Sequence, residues 1–368
     1  MRLVYLSPVP WDSFAQRPHK FVNWFHGRTG QPVLWVDPYP TRFPKLGDLG
    51  RLRQSAAARL AASTPSWLRV IKPGGLPIEP MPGSVHLNRR LWQEVLRVID
   101  DFLVNANGMI AIGKPSVLAL DLLERFPQCK SLYDAMDDFP AFYAGFSRIA
   151  LSRREGRIAR RVGNIWVSSS ELKKRWACHR DDVRLVNNGL DLAALPAVET
   201  PTPTASAKRT FGYVGTIGSW FDWHWVCTLA AARPQDEVCL VGPVFDSPTS
   251  KLPDNIALLP ARDHVAALQA MGDFDVGLIP FKRNKLTASV DPIKYYEYRA
   301  LSLPVISTNF GEMRWRSGTP GVFISQSASD AADLAESALH FERAPGCADA
   351  FALQNAWEAR FDASRLFA

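Results

Sequence analysis

The chain has 368 residues and a mass of 41.0 kDa, too long for one ordinary core and suited to two comparable domains. With 47% hydrophobic, 21% charged and 11% aromatic residues it falls outside the disordered, collagen-like and coiled-coil classes. Lys and Arg outnumber Asp and Glu by 28 to 18 over residues 1–200 and stand at 15 against 18 over residues 201–368, so the net charge of +7 comes from the first half. Such a basic half suits a nucleic acid, an anionic bilayer or a phosphorylated substrate.

No run approaches the roughly 18 apolar residues of a membrane-spanning helix. Arg2-Leu3-Val4-Tyr5-Leu6 meets Ser7-Pro8 without the apolar stretch of a signal peptide, so a cytoplasmic location is expected. Cys129, Cys178, Cys227, Cys239 and Cys347 are scattered with no C-x-x-C pair, which signals neither a disulfide framework nor a zinc site.

In the first half the predicted strands are 2–6, 32–36, 109–112, 130–134, 164–169 and 183–188, with helical segments between. Several are apolar throughout, as strands covered by helices on both faces should be, and a parallel sheet follows. After the first strand, Arg17-Pro18-His19-Lys20 opens a helix. Cations there oppose the helix dipole unless an anion is near, so Arg17, His19 and Lys20 are candidates to hold an acceptor diphosphate, with His19 also a candidate base. Residues 39–92, rich in Pro and Arg beside Trp67 and Leu68, read as a basic insertion suited to an anionic membrane surface or as a solvated excursion. Gly108-Met-Ile-Ala-Ile-Gly113-Lys114-Pro115 imitates a phosphate-binding loop, but its middle is a strand and Pro115 replaces the needed Ser or Thr. The strand 130–134 ends in Asp134, Asp137 and Asp138. Crowded carboxylates at a strand end are candidates for a general base, and one of the three is expected to serve only as a cap or turn residue.

Residues 196–208, with repeated Pro and Thr, read as a linker between a first domain, 1–195, and a second, 209–345. The strand rhythm resumes at 211–218, 237–243, 255–260, 275–281, 304–308 and 321–325. A C-terminal helix is expected in 346–368, with a return to the first domain as one option. Two doubly wound domains place the default ligand site in a cleft beyond the carboxyl ends of the strands. The run Phe211-Gly-Tyr-Val-Gly-Thr-Ile-Gly-Ser-Trp-Phe-Asp222-Trp223 is a strand that ends in glycines and enters a helix. Gly215, Thr216 and Gly218 would let backbone approach a diphosphate. Asp273-Phe274-Asp275 resembles a metal-binding D-x-D, but it lies at the amino end of its strand, away from the expected site. Asp291-Pro292 predicts a helix with Asp291 as N-cap, ending near Leu303-Pro304. Lys294 in its first turn and Glu297 three residues on share a face, where they could hold a diphosphate and a ribose hydroxyl.

The stretch from Pro280 to Thr308 resembles the donor-binding segment of GT-B glycosyltransferases, and YVGTIGSWFDW resembles the donor loop of bacterial enzymes that build surface polysaccharides. The likeness is good from about residue 209 to 310 and thinner elsewhere; it extends to the family 4-like enzymes and the xanthan glucuronosyltransferase type. It implies an α/β protein of two Rossmann-like domains and a transferase of the EC 2.4 class, moving a sugar from a nucleotide diphosphate to a glycan or lipid-linked acceptor. Glu297 would hold the ribose, with Gly215, Thr216, Gly218, Asp291, Lys294 and Tyr296 around the donor. Asp137 falls on the proposed base, with Asp138 as rival. Where the larger family carries a first glutamate this chain has Ser289, so Asp291 or Lys294 is expected to stand in for part of its contact. The implied partners are a UDP- or GDP-linked sugar, a glycan or polyprenyl-diphosphate acceptor and the inner face of the membrane, with no metal, cofactor or nucleic acid. The competing classes are a nucleotide-sugar epimerase of similar architecture and a non-catalytic nucleotide-sugar binder.

Overall fold

A computed structural model describes residues 1–41, 64–76, 79, 81, 84–104, 107–196, 208–342 and 346–367. The chain divides into two compact units, Met1–Val186 and Asn187–Ala368, so residues 187–195, read above with the first domain, count with the second unit. Most of the expected linker, 197–207, lies outside the described residues.

In the first unit β1 (Arg2–Leu6), β2 (Val33–Val36), β3 (Leu68–Ile71), β4 (Gly108–Ile112), β5 (Lys130–Ala135), β6 (Asn164–Val167) and β7 (Val183–Leu185) form a parallel sheet in the order β3-β2-β1-β4-β5-β6-β7. Leu3, Val4, Tyr5, Leu34, Trp35, Ile110, Ile112 and Trp166 have no exposed surface, which is why these strands read as continuous apolar runs rather than alternating ones. Strand order reverses between β1 and β4, the switch point where open α/β sheets present a ligand crevice. The strand β3 lies inside the stretch read as an insertion; residues 42–63 of that stretch are outside the described residues. It is a four-residue strand that among the described residues lies at the sheet edge and pairs only with β2, and it leaves little apolar signal.

The second unit repeats the pattern with β8 (Thr210–Val214), β9 (Glu237–Val241), β10 (Ile256–Leu259), β11 (Val276–Ile279), β12 (Val305–Thr308) and β13 (Val322–Ser325), ordered β10-β9-β8-β11-β12-β13 and all parallel. The switch point falls between β8 and β11. The C-terminal helices Cys347–Gln354 and Trp357–Ala363 belong to this unit. Phe351 packs its ring against Tyr295 and Tyr296, and the backbone of Leu190 bonds to Asn355 and Trp357. Among the described residues no helix is long and apolar enough to cross a membrane.

Candidate functional site

Each unit places candidate residues beyond the carboxyl ends of its central strands. In the first, the helix Arg17–Thr29 begins just past β1. Its opening cation has an internal anion. The Arg17 guanidinium donates from Nε and Nη2 to both oxygens of Asp134, at 2.8–3.1 Å, and from Nη1 to the Val186 carbonyl at 2.8 Å. Both side chains are buried, at 3% and 0% exposure. Arg17 is therefore taken up within the fold rather than presented to an acceptor phosphate, and Asp134 is the structural member of the carboxylate trio.

His19 closes the helix start. Its Nδ1 accepts from the Gln16 amide at 3.2 Å, which leaves Nε2–H to donate to the Trp11 carbonyl at 3.1 Å. The ring lies between Trp11 and Trp35, with centroids 5.0 and 4.8 Å away. Burial, with Lys20 adjoining, lowers its pKa. With its one lone pair committed and its charged form disfavoured, His19 is a capping residue rather than a base. Lys20, next to it, is half-buried.

The two remaining carboxylates sit in different surroundings. Asp138 accepts from Arg175 Nη1 at 2.7 Å, and the same guanidinium bonds Glu155, whose other oxygen accepts from Tyr133. Asp137 is half-buried, on the bend that follows β5, and no described residue donates a hydrogen bond to it. Burial, then Asp134 and Asp138 nearby, outweigh Arg17 and push its pKa up to about 7. A carboxylate without donors, titrating near neutrality, is what proton abstraction requires.

In the second unit β8 leads into Gly215, whose φ of +152° and close neighbours favour glycine: an added Cβ would stand 2.8 Å from the Tyr213 hydroxyl. Gly242, at the end of β9 with φ +144°, lies under it, and a Cβ there would come within 2.1 Å of the Gly215 carbonyl. Two glycines thus fix the path of the loop through Thr216 and Gly218 to the helix Trp223–Ala232. Asp222 caps that helix, accepting from the Trp225 amide at 3.1 Å.

The helix Ile293–Ala300 begins one residue later than expected. Pro292 is its N-cap, and the Asp291 carboxylate faces inward, where it accepts from the Asn188 amide at 2.7 Å, Arg316 at 2.5 Å and the Tyr296 hydroxyl at 2.9 Å. Arg316 outcompetes the helix end because it supplies a full charge, and its guanidinium also covers the Tyr295 ring at 3.7 Å. Asp291 and Tyr296 thus form a buried knot and are not open to a ligand. Ser289 is buried as well.

Lys294 and Glu297 are arranged differently. Lys294 Nζ donates to Glu297 Oε2 at 2.6 Å, and His264 Nε2 lies 3.2 Å from Oε1. Burial would raise the Glu297 carboxyl, but Lys294 and His264 prevail and hold it at about 2, so it is ionised throughout the ordinary range. The next residue, Tyr298, accepts from the Val214 amide at 3.2 Å, which ties this helix to the end of β8, one residue before Gly215. Tyr298 and His264 carry no motif of their own; only Asp263, a visible N-cap, marks the start of the helix His264–Gly272. Asp275 bonds Arg209 and the Thr210 amide at the opposite end of β11, as its position before the strand implied.

No family model matches the chain. A protein of Bacillus subtilis (strain 168) named "Putative teichuronic acid biosynthesis glycosyltransferase TuaH" is 27% identical over 199 residues, which cover 48% of this chain and 50% of that one. The chain thus matches about half the length of this curated relative. Among solved structures, HepE from Anabaena, in complex with UDP and glucose, has a TM-score of 0.66 at 14% identity, covering 100% of this chain and 99% of that one. Sucrose-phosphate synthase from Thermosynechococcus elongatus gives 0.67 at 15% identity over 100% and 98%. The lipopolysaccharide outer core galactosyltransferase WaaB gives 0.64 at 10% identity over 99% of each chain. Together with the two sheets of matching strand order, these likenesses establish the fold as the GT-B type, two Rossmann-like α/β units.

Proposed function

We propose that the chain is a glycosyltransferase that moves a sugar from a nucleoside diphosphate, UDP or GDP, to a hydroxyl of a glycan or polyprenyl-diphosphate-linked acceptor in the assembly of a surface polysaccharide. The observation that carries this reading is the buried, ionised Glu297 paired with Lys294, on a helix that Tyr298 ties to the strand leading into the glycine-shaped Gly215 loop. A carboxylate held ionised has lone pairs for ribose hydroxyls, an ammonium in the first turn of a helix attracts a diphosphate, and loop amides free of Cβ obstruction add donors.

Departure of the sugar builds charge on the diphosphate. Lys294, the start of its helix and the Thr216 and Gly218 amides stabilise that charge as it develops, the Gly215 and Ile217 amides being bonded to the Val241 and Pro243 carbonyls. In the first unit Asp137 takes the proton of the acceptor hydroxyl; Asp138 is held by Arg175 and His19 by its two backbone partners. Contact of the basic first unit with the inner face of a membrane belongs to the same proposal. The relative of 27% identity and the sugar-nucleotide context of the similar structures support it.

The test is a thermal-shift screen of UDP-, GDP-, ADP- and dTDP-sugars, in which the cognate donor raises the melting midpoint as RT ln(1 + [L]/Kd), followed by nucleotide release. Release that depends on an added acceptor supports the transferase. Interconversion of sugar epimers without acceptor identifies an epimerase instead, and binding without turnover a binder.

A further inference from the structure

The helix Gly145–Ala159 carries a surface that sugar transfer does not use. Phe146, Ile149, Arg153, Arg157 and the C-cap Arg160 are spaced to share one stripe, opposite the buried Leu151, Arg154, Glu155 and Ile158. Phe146 is 81% exposed and Ile149 49%, and Phe142, also 49% exposed, sits on the 3-10 turn that packs on the start of this helix. Single exposed apolar side chains are ordinary; three gathered at one helix end need an explanation.

Charge supplies the second observation. Arg148, Arg153, Arg157 and Arg160 are exposed, and among the described residues none has an ion-pair partner. Neighbouring arginines do: Arg154 pairs with Glu79, Arg161 with Glu124 and Arg175 with Glu155. The acid of the helix, Glu155, is buried on the opposite side. The exposed face is therefore apolar at one end and cationic along the rest, with no acid of the helix itself on it.

We propose that this face docks the first unit onto an anionic phospholipid surface. The rings of Phe142 and Phe146 with Ile149 enter the boundary between headgroups and acyl chains, while Arg153, Arg157 and Arg160 lie at the phosphates. A soluble polyanion would satisfy the arginines but leave Phe146 in water; a lipid surface accommodates both. This assigns to named residues the membrane contact of the proposed function. It is measured without donor or acceptor, so its failure and that of sugar transfer are distinguishable.

The experiment is flotation of the full chain with vesicles of phosphatidylcholine alone or with 30% phosphatidylglycerol, at about 0.05 and 0.5 M salt. The wild type is expected to float with the anionic vesicles at low salt and to be released at high salt. Arg153→Ala/Arg157→Ala/Arg160→Ala should lower partitioning roughly a hundredfold, from about fivefold for each arginine. Phe146→Ser should lower it by about tenfold with little change in salt dependence. Equal partitioning onto neutral and anionic vesicles, a triple variant that floats like wild type, an unaffected Phe146→Ser, or heparin displacing the protein from vesicles at equal charge would each overturn the proposal.

Discussion

Replacing Asp137 by Asn removes the proton acceptor and also relieves the fold of a carboxylate it holds unfavourably. Burial and the charges of Asp134 and Asp138 carry this group from 3.8 to about 7, a preference for the protonated form of up to about 4 kcal/mol. The sign follows from linkage. A raised native pKa gives stability that is fully present below about pH 4 and is lost as the pH rises through 7, so at pH 8 the wild type carries the full penalty while the amide carries none. Asp137→Asn should therefore match wild type at pH 3.5 and resist urea better at pH 8, by up to about 4 kcal/mol. Transfer should fall by roughly a hundredfold to ten-thousandfold, with donor affinity nearly unchanged. In the wild type, turnover should rise with pH through about 7. Urea titrations at both pH values beside a nucleotide-release assay check all three. Retained transfer would move the base to another residue, and an amide no more stable at pH 8 would refute the account of its environment.

Four further outcomes are expected. Lys294→Ala should weaken nucleoside diphosphate binding by roughly tenfold to a hundredfold, measured by calorimetry, since it removes a charge-assisted donor; unchanged affinity takes Lys294 out of the site. Glu297→Gln should be less stable than wild type at pH 7 by about 3 kcal/mol, because a carboxyl lowered from 4.5 to about 2 contributes stability above pH 4.5 that disappears as the pH falls toward 2. Unfolding at pH 7 and 2.5 should show that gap closing. Arg17→Ala should cost about 3–5 kcal/mol by stranding Asp134; a raised acceptor KM at unchanged melting midpoint would return Arg17 to acceptor binding. Gly242→Ala, with its Cβ 2.1 Å from the Gly215 carbonyl, should lower both the melting midpoint and donor affinity, the latter at least tenfold, read by thermal shift with and without nucleotide.

The architecture was largely legible because strands covered on both faces must be apolar along their whole length, and Leu3–Leu6, Ile110–Ile112 and Val305–Ile306 are. The strand β3 escaped because four residues at an edge leave little signal. At the site, Lys294 and Glu297 could be paired in advance since three positions of helix put them on one face. What local spacing cannot carry is a partner brought in by tertiary structure. Arg316, 25 positions away, draws Asp291 off the helix end; Asp134, 117 positions on, is the anion that the cation at Arg17 required; and His264 reaches Glu297 across 33. Asp137 and Asp138 are adjacent and chemically identical, and what sets them apart is tertiary: Arg175 holds Asp138, while burial raises Asp137.

The bonds of Arg17 also bear on how the chain is made. A guanidinium near the start waits for a carboxylate encoded 117 residues later and for the carbonyl of Val186, 169 residues later, the last residue of its unit. Until Val186 has left the ribosome the first sheet cannot complete its charge pairing, so the whole first unit must emerge before it locks. Stalling translation after residue 150 should leave a protease-sensitive, chaperone-bound intermediate, whereas stalling some 40 residues past Val186 should release a resistant one.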